Sequence, residues 1–159
     1  ASLVLAATFT HWRAALSDAA LENYLSFRLK PLQEEGKEPN DIADAAASAL
    51  LGPTATKDHH AQLANSISTL HKDSYIKTLQ SAVPYDRPLD LESIQVPSLY
   101  LYGKHDPLCP PELGRKMADR TPESRFLEIA HSGHLINIEQ PQAFNQAVLH
   151  FLNDVTSTG

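Results

Sequence analysis

The rhythm of apolar and polar positions changes twice along the chain. Residues 2 to 7 form a continuous apolar run, the pattern of a strand covered on both faces. From there the period lengthens. Trp12, Leu16, Ala19, Ala20, Tyr24 and Phe27 recur at helical spacing and predict a helix from residue 12 to 35, stopped by Gly36 and Pro39. Asn40 or Asp41 can cap a second helix carrying Ile42, Ala45, Ala46, Ala49 and Leu50, with Gly52 and Pro53 behind it. A third runs from 56 to 71, with Leu63, Ile67 and Leu70 on one face. Asp73 can cap a fourth, with Tyr75, Ile76 and Leu79 inside, and Pro84 and Pro88 mark a linker. Residues 10 to 85 thus hold helices and no strand candidate.

The pattern changes again at Ile94. Val96-Pro97-Ser98-Leu99-Tyr100-Leu101-Tyr102 reads as a strand ended by Gly103, and a helix follows from Pro111, with Leu113, Met117 and Ala118 buried. Arg125-Phe126-Leu127-Glu128-Ile129 is the next strand. Pro141 opens a last helix with Phe144, Val148, Phe151 and Leu152 facing inward, and residues 155 to 159 read as a frayed tail. Strands alternating with helices predict an α/β fold with a parallel sheet and right-handed crossovers. The expected organisation is a core strand over 1–9, a helical region over 10–85 and an α/β core over 86–159. Three strands make a poor sheet alone, and the first would expose an unpaired apolar edge. The chain also opens on that strand without an initiator Met. Both features predict a fragment, a processed chain or one half of a split protein, poorly soluble or partner-bound when alone.

Composition narrows the function classes. Of 159 residues, 42% are hydrophobic and 20% charged, which suits a globular domain with a core of its own. The net charge of −6 and the scattered Lys and Arg argue against nucleic acid as a partner. Cys109 is the only cysteine, so no internal disulfide forms, and a reducing, cytoplasmic setting fits. No apolar stretch approaches the roughly 20 residues that span a bilayer.

Candidate chemistry collects at the ends of the last two strands. In a parallel sheet all strand C-termini lie on one edge, and ligands bind outside it. Asp106 sits four residues past Tyr102, and His134 a few residues past Ile129, so both project from that edge on adjacent loops. A carboxylate accepting from imidazole Nδ1–H fixes the tautomer and steadies the imidazolium. Gly133 lets the backbone approach closely before His134. Taken singly, Asp106 reads as a turn residue before Pro107 and His134 as a solvated loop histidine. Taken together, each after its own strand with a helix behind it, they read as an acid–base pair. Asp58-His59-His60 and His131-x-x-His134 suggest metal, but adjacent helical histidines diverge by about 100°. No third ligand of suitable spacing is evident, so these read as surface histidines. His105 reads as a loop residue and Cys109 as a small packing residue. Asp86 and Asp90 read as solvated. Trp12, just past the first strand, and Leu135, beside His134, are the candidate substrate-binding residues. Tyr24, Phe27 and Tyr75 read rather as core of the helical region.

With these residues in view, the stretch from Ile94 to Leu152 resembles the C-terminal part of the α/β-hydrolase fold. Val96-Pro97 opening a strand, Gly103 with Asp106 after it, Gly133-His134, Glu139-Gln140-Pro141 and the Phe151-Leu152 close carry the resemblance. The strand at 2–7 then resembles the sixth strand, and 10–85 an inserted helical cap. Within the superfamily the chain is most similar to 3-oxoadipate enol-lactone hydrolases and related small esterases. The resemblance implies Asp106 as triad acid and His134 as general base of a Ser-His-Asp hydrolase of carboxylic esters or lactones, with no metal or organic cofactor. The nucleophile would lie upstream in a G-x-S-x-G elbow, together with the oxyanion donors. No such pentapeptide occurs in residues 1 to 159. The implied partner is therefore an N-terminal segment present as a second chain, without which the chain is inactive. Two alternatives remain open. One is another chemistry on the same scaffold: epoxide hydrolase (two cap tyrosines serve there as acids, and nothing in the spacing of Tyr24, Tyr75 and Tyr85 singles out such a role here), haloalkane dehalogenase or C–C bond hydrolase. The other is a non-catalytic binding module from a truncated hydrolase.

Overall fold

Ser98–Gly103 is the best-buried segment of the chain, and the α/β part is organised around it. The computed structural model describes residues 1–87 and 89–157. Pro88 of the expected linker, and Thr158 and Gly159 of the expected tail, lie outside the described residues. Three parallel strands, β1 (Leu3–Ala6), β2 (Ser98–Gly103) and β3 (Ser124–Ile129), pair in the order β1-β2-β3. Alternation along β2 sends its side chains to opposite faces. Tyr100 and Tyr102 pack with Leu91, Cys109, Met117 and Ala118, the last two on α6 (Pro111–Ala118). Leu99 and Leu101 pack with Ile129, Ile136 and Phe151, the last on α8 (Pro141–Ser157). Both buried tyrosines keep their hydroxyls satisfied. Tyr100 shares a 2.7 Å hydrogen bond with Thr121 Oγ1, and Tyr102 donates to the carbonyl of Thr8. That makes two aromatic rings tolerable inside a sheet core.

The chain divides into two compact units, Ala1–Phe9 with Leu50–Ala55 and Leu89–Gly159, and Thr10–Ala49 with Thr56–Pro88. Residues 50–55 lie inside the region read from the sequence as 10–85, yet they belong to the α/β unit. β1 differs from the expectation of a strand covered on both faces: Leu3, Val4 and Leu5 are half-buried and Ala6 is exposed. In the described residues it pairs on one edge only, with β2. Between β3 and α8 lies a short helix, α7 (Ile136–Glu139), too brief to leave a periodic signal. α8 continues to Ser157, so residues 155 to 157 are helical rather than frayed, and Leu152 on it is 37% exposed.

In the helical unit the single helix expected from 12 to 35 is two, α1 (Trp12–Ala15) and α2 (Asp18–Gln33). Ser17 takes an extended conformation between them, and its hydroxyl accepts from Ala20 N at 3.3 Å, restarting the helix. α3 (Pro39–Ser48) is capped by Glu38 rather than Asn40 or Asp41. Asp41 instead reaches back to accept from Glu38 N, and Pro39 opens the first turn. α4 (Lys57–Ser68) starts at Thr56, whose hydroxyl accepts from His59 N while His59 Nδ1 accepts from Thr56 N. α5 (Lys72–Ala82) is capped by His71 rather than Asp73. Leu63, Ile67 and Leu79 are buried as their spacing predicts, but Leu70 lies past the end of α4 and is 42% exposed.

Gly114 on α6 meets the sheet where a side chain would not fit: a Cβ there would sit 2.1 Å from Tyr102 Cε2. The ring cannot yield, because it is fully buried and its hydroxyl is bonded. Gly114→Ala should therefore cost about 1–3 kcal/mol as overpacking. A lowered urea midpoint with unchanged m-value would register it; an unchanged midpoint would contradict the packing described.

Candidate active site

The strand register fixes what happens beyond the strand ends. Gly103, the last residue of β2, pairs with Ile129, the last of β3. The two chains leaving the sheet stay bonded to each other. Lys104 N donates to Ile129 O at 3.0 Å, and His105 N donates to Ser132 O at 2.9 Å. Gly103 allows this approach, because a Cβ there would lie 2.1 Å from Gly133 O. His131, at φ 57°, turns the second loop back toward the first. Its carbonyl accepts from Thr54 Oγ1 and Gln140 Nε2, both at 3.0 Å, which holds this left-handed turn in place.

Asp106 and His134 meet at the junction. Asp106 Oδ2 lies 2.9 Å from His134 Nδ1. The other oxygen, Oδ1, accepts from the backbone N–H of Leu108 and Cys109, both at 2.8 Å. The Asp106 side chain is wholly buried and that of His134 is 21% exposed. With Asp106 accepting, the imidazole proton sits on Nδ1 and Nε2 is left with its lone pair. The pair can therefore take a proton at Nε2 and hold the resulting imidazolium against a fixed, buried carboxyl group.

The loop of His134 is anchored from two further directions. His134 N donates to Leu50 O at 3.0 Å. Glu139, 3% exposed, accepts from Gly133 N through Oε1 and from Gly52 N through Oε2, each at 2.9 Å. Sequence reasoning singled out neither Glu139 nor the 50–54 segment as functional. Glu139 carried a signal only as part of the Glu139-Gln140-Pro141 motif; its bond to a residue 87 positions away left none.

The other candidates fall as follows. Leu135 follows the base as the residue capping α7 and is half-buried. Trp12 lies in α1 of the helical unit, its ring 4.8 Å from that of Tyr24. His59 serves the cap of α4, and His60 Nε2 lies 3.0 Å from Ser48 Oγ, so this pair does helical work. His105 is exposed, and Asp86 faces Arg13 at 3.3 Å. Cys109 is 1% exposed, and burial, aided by the charge of Asp106, pushes its thiol well above the ordinary range. It is a packing residue without thiolate character. It nonetheless stands beside the pair. Ligand atoms of Asp106, Cys109 and His134 lie within 4.8 Å of one another, so these three could hold a metal ion, at the expense of the bond between acid and imidazole. Cys109 is the third ligand type that spacing along the chain did not disclose.

Comparison with known proteins agrees with the fold described above. A family model described as the alpha/beta hydrolase fold matches residues 3–141. The 3-oxoadipate enol-lactonase 2 of Acinetobacter baylyi is 28% identical over 124 residues, covering 76% of this chain and 45% of that protein. Carboxylesterase YbfK of Bacillus subtilis is 33% identical over 79 residues, covering 48% of this chain and 27% of its own. Among solved structures, a thermophilic esterase from Thermogutta terrifontis aligns with a TM-score of 0.79 at 25% identity, over 97% of this chain and 56% of the other. The chain spans less than half the length of the curated relatives it matches, 45% of the enol-lactonase and 27% of the carboxylesterase.

Gly133 and Gly52 touch backbone to backbone, and a Cβ on Gly133 would lie 2.3 Å from Gly52 N. Gly133→Ala should accordingly destabilise the fold by about 3 kcal/mol, read as a lowered melting temperature. A variant melting with the parent would show that the loop is not packed as described.

Proposed function

Since the chain belongs to the α/β hydrolase fold family, we propose that it carries the acid and base of a serine hydrolase acting on carboxylic esters or lactones. The observation that carries this reading is the 2.9 Å contact between buried Asp106 and His134 Nδ1, which leaves Nε2 as the proton acceptor. His134 takes the proton of a serine hydroxyl as that oxygen attacks the acyl carbon. It returns the proton to the leaving alcohol oxygen, then draws a proton from water as the acyl-enzyme is hydrolysed. Asp106 holds the imidazole in the right tautomer throughout. The serine and the oxyanion donors come from a segment outside residues 1–159, joined to this chain or present as a second polypeptide. Leu135, beside the base, contacts the substrate. A lactonase and a carboxylesterase among the relatives support an ester or lactone, beside carbamate hydrolases in the same set. Among the described residues no helix is long and apolar enough to cross a membrane. The one cysteine is a free thiol, which suits work in the cytoplasm.

The test is made on protein that contains residues 1–159 together with the nucleophile segment. His134→Ala should lower kcat for a p-nitrophenyl ester by about 10³-fold or more. Asp106→Asn should lower kcat while leaving KM in place. Parent-like turnover by His134→Ala would remove His134 as the base. An aspartate at the nucleophile position, with turnover of a haloalkane or epoxide and none of an ester, would replace the esterase reading by one of those chemistries.

A further inference from the structure

We propose that Glu139 is a positioning residue for the base: its carboxyl group clamps the peptide that carries His134 and thereby sets the distance from Nδ1 to Asp106. The inference rests on the reading of His134 as the base.

The argument starts from where Glu139 sits. It is an acidic residue 3% exposed, on a four-residue helix, with apolar Ile136 and Ile138 before it. An acid so deeply buried is tolerated only when its oxygens are bonded. Both are, and both to backbone N–H groups that lie outside helices and strands: Gly133 N at Oε1 and Gly52 N at Oε2. Among the described residues neither donor shows another bond, so without Glu139 two backbone N–H groups at the heart of the loop would lose their partner. The two glycines are close enough that a Cβ on either would strike the other, so water has little room to substitute.

The clamp is referred to the core. Ile136, three residues before Glu139, is 1% exposed and packs with Leu99, Leu101, Ile129 and Phe151. Glu139 N donates back to Leu135 O at 2.9 Å, which closes the helical turn. The carboxyl group is therefore held in position by the sheet, and Gly133 is held by the carboxyl group. His134 follows Gly133 directly, and its own N–H is tied to Leu50 O, two residues from the other glycine in the clamp. The N–H groups on either side of the Gly133 Cα are thus both tied down, that of Gly133 to Glu139, which also holds Gly52, and that of His134 to Leu50. A small rotation of that peptide moves the imidazole off Asp106. A base has to stay within roughly 2.6–3.2 Å of its proton partner, so such a displacement affects the rate before it affects binding.

Glu139→Gln is the discriminating change. It keeps one acceptor oxygen and turns the other into an amide N–H₂ facing a backbone N–H. In the protein that carries the nucleophile segment, kcat should fall by about 10²-fold, the cost of a misplacement near 1 Å, with KM unchanged. The downfield proton resonance of His134 Nδ1–H, assigned by its loss in His134→Ala, should shift upfield or broaden. Parent-like kcat and resonance in Glu139→Gln would overturn the proposal, and so would a fall in melting temperature with both preserved, since that marks a merely structural role. Should the glutamine variant fail to fold, Glu139→Asp is read in the same way: it keeps both acceptors on a shorter arm. A partial loss of kcat with KM unchanged supports the clamp, and parent-like kcat overturns it. The resonance also separates the two readings. A perturbed resonance in a protein whose His134→Ala form remains fully active would keep the clamp and discard the proposed function.

Discussion

Everything at the active edge depends on the parallel pairing of β2 with β3 and on its continuation past the strand ends. The ladder brings Gly103 opposite Ile129, and two further backbone bonds, from Lys104 N and His105 N, carry the pairing into the loops. Asp106 and His134 are 28 residues apart in the chain, yet their positions follow from this one register. A slip by one residue would turn Tyr100 and Tyr102 to the opposite face and carry Asp106 away from the imidazole. The fully buried β2, with a hydrophobic cluster on each face, makes such a slip costly. Core packing and site geometry are therefore one constraint.

The same economy governs the loops. Gly103, Gly133 and Gly52 let three backbone segments lie nearly in contact, and the groups exposed by that crowding are satisfied in pairs. His131 O takes two donors, Glu139 takes two, and Asp106 takes two backbone donors besides the histidine. Buried polar groups of this kind stabilise only as a complete set. That explains how the base, on a loop, is fixed by bonds to both side chain and backbone, and why a segment between two helices of the other unit in sequence takes part in holding it.

Much of this was legible beforehand. The strands at 98–103 and 124–129 announce themselves through short β-rich runs bounded by proline and glycine, and the acid and base lie at fixed small offsets from them. Both signals are local, and a parallel sheet converts local offset into a shared edge. The helix caps were less legible. Ser17 splits one periodic stretch into two helices, and Glu38 and His71 cap where Asp41 and Asp73 were expected. Acids in the first turn look alike in sequence whether they cap or merely follow the cap, because only the backbone angle one or two residues earlier decides. The half-buried state of β1 was not legible either. An apolar run reports what a strand can cover, and the cover itself lies in other parts of the structure.

By itself, then, the sequence determined the α/β class, the placement of Asp106 and His134 beyond successive strands, and the helical character of residues 10 to 85, because each rests on periodicity or on a short fixed spacing. Only the tertiary structure decided that Asp106 Oδ2 meets Nδ1, that Cys109 stands beside the pair with its thiol suppressed by burial, and that Glu139 joins Gly133 to Gly52. Those are contacts between residues far apart in the chain, or consequences of the burial such contacts produce. Hydrogen bonds of that range leave no period and no spacing. They exist only once the packed sheet has brought the separate loops to the same edge.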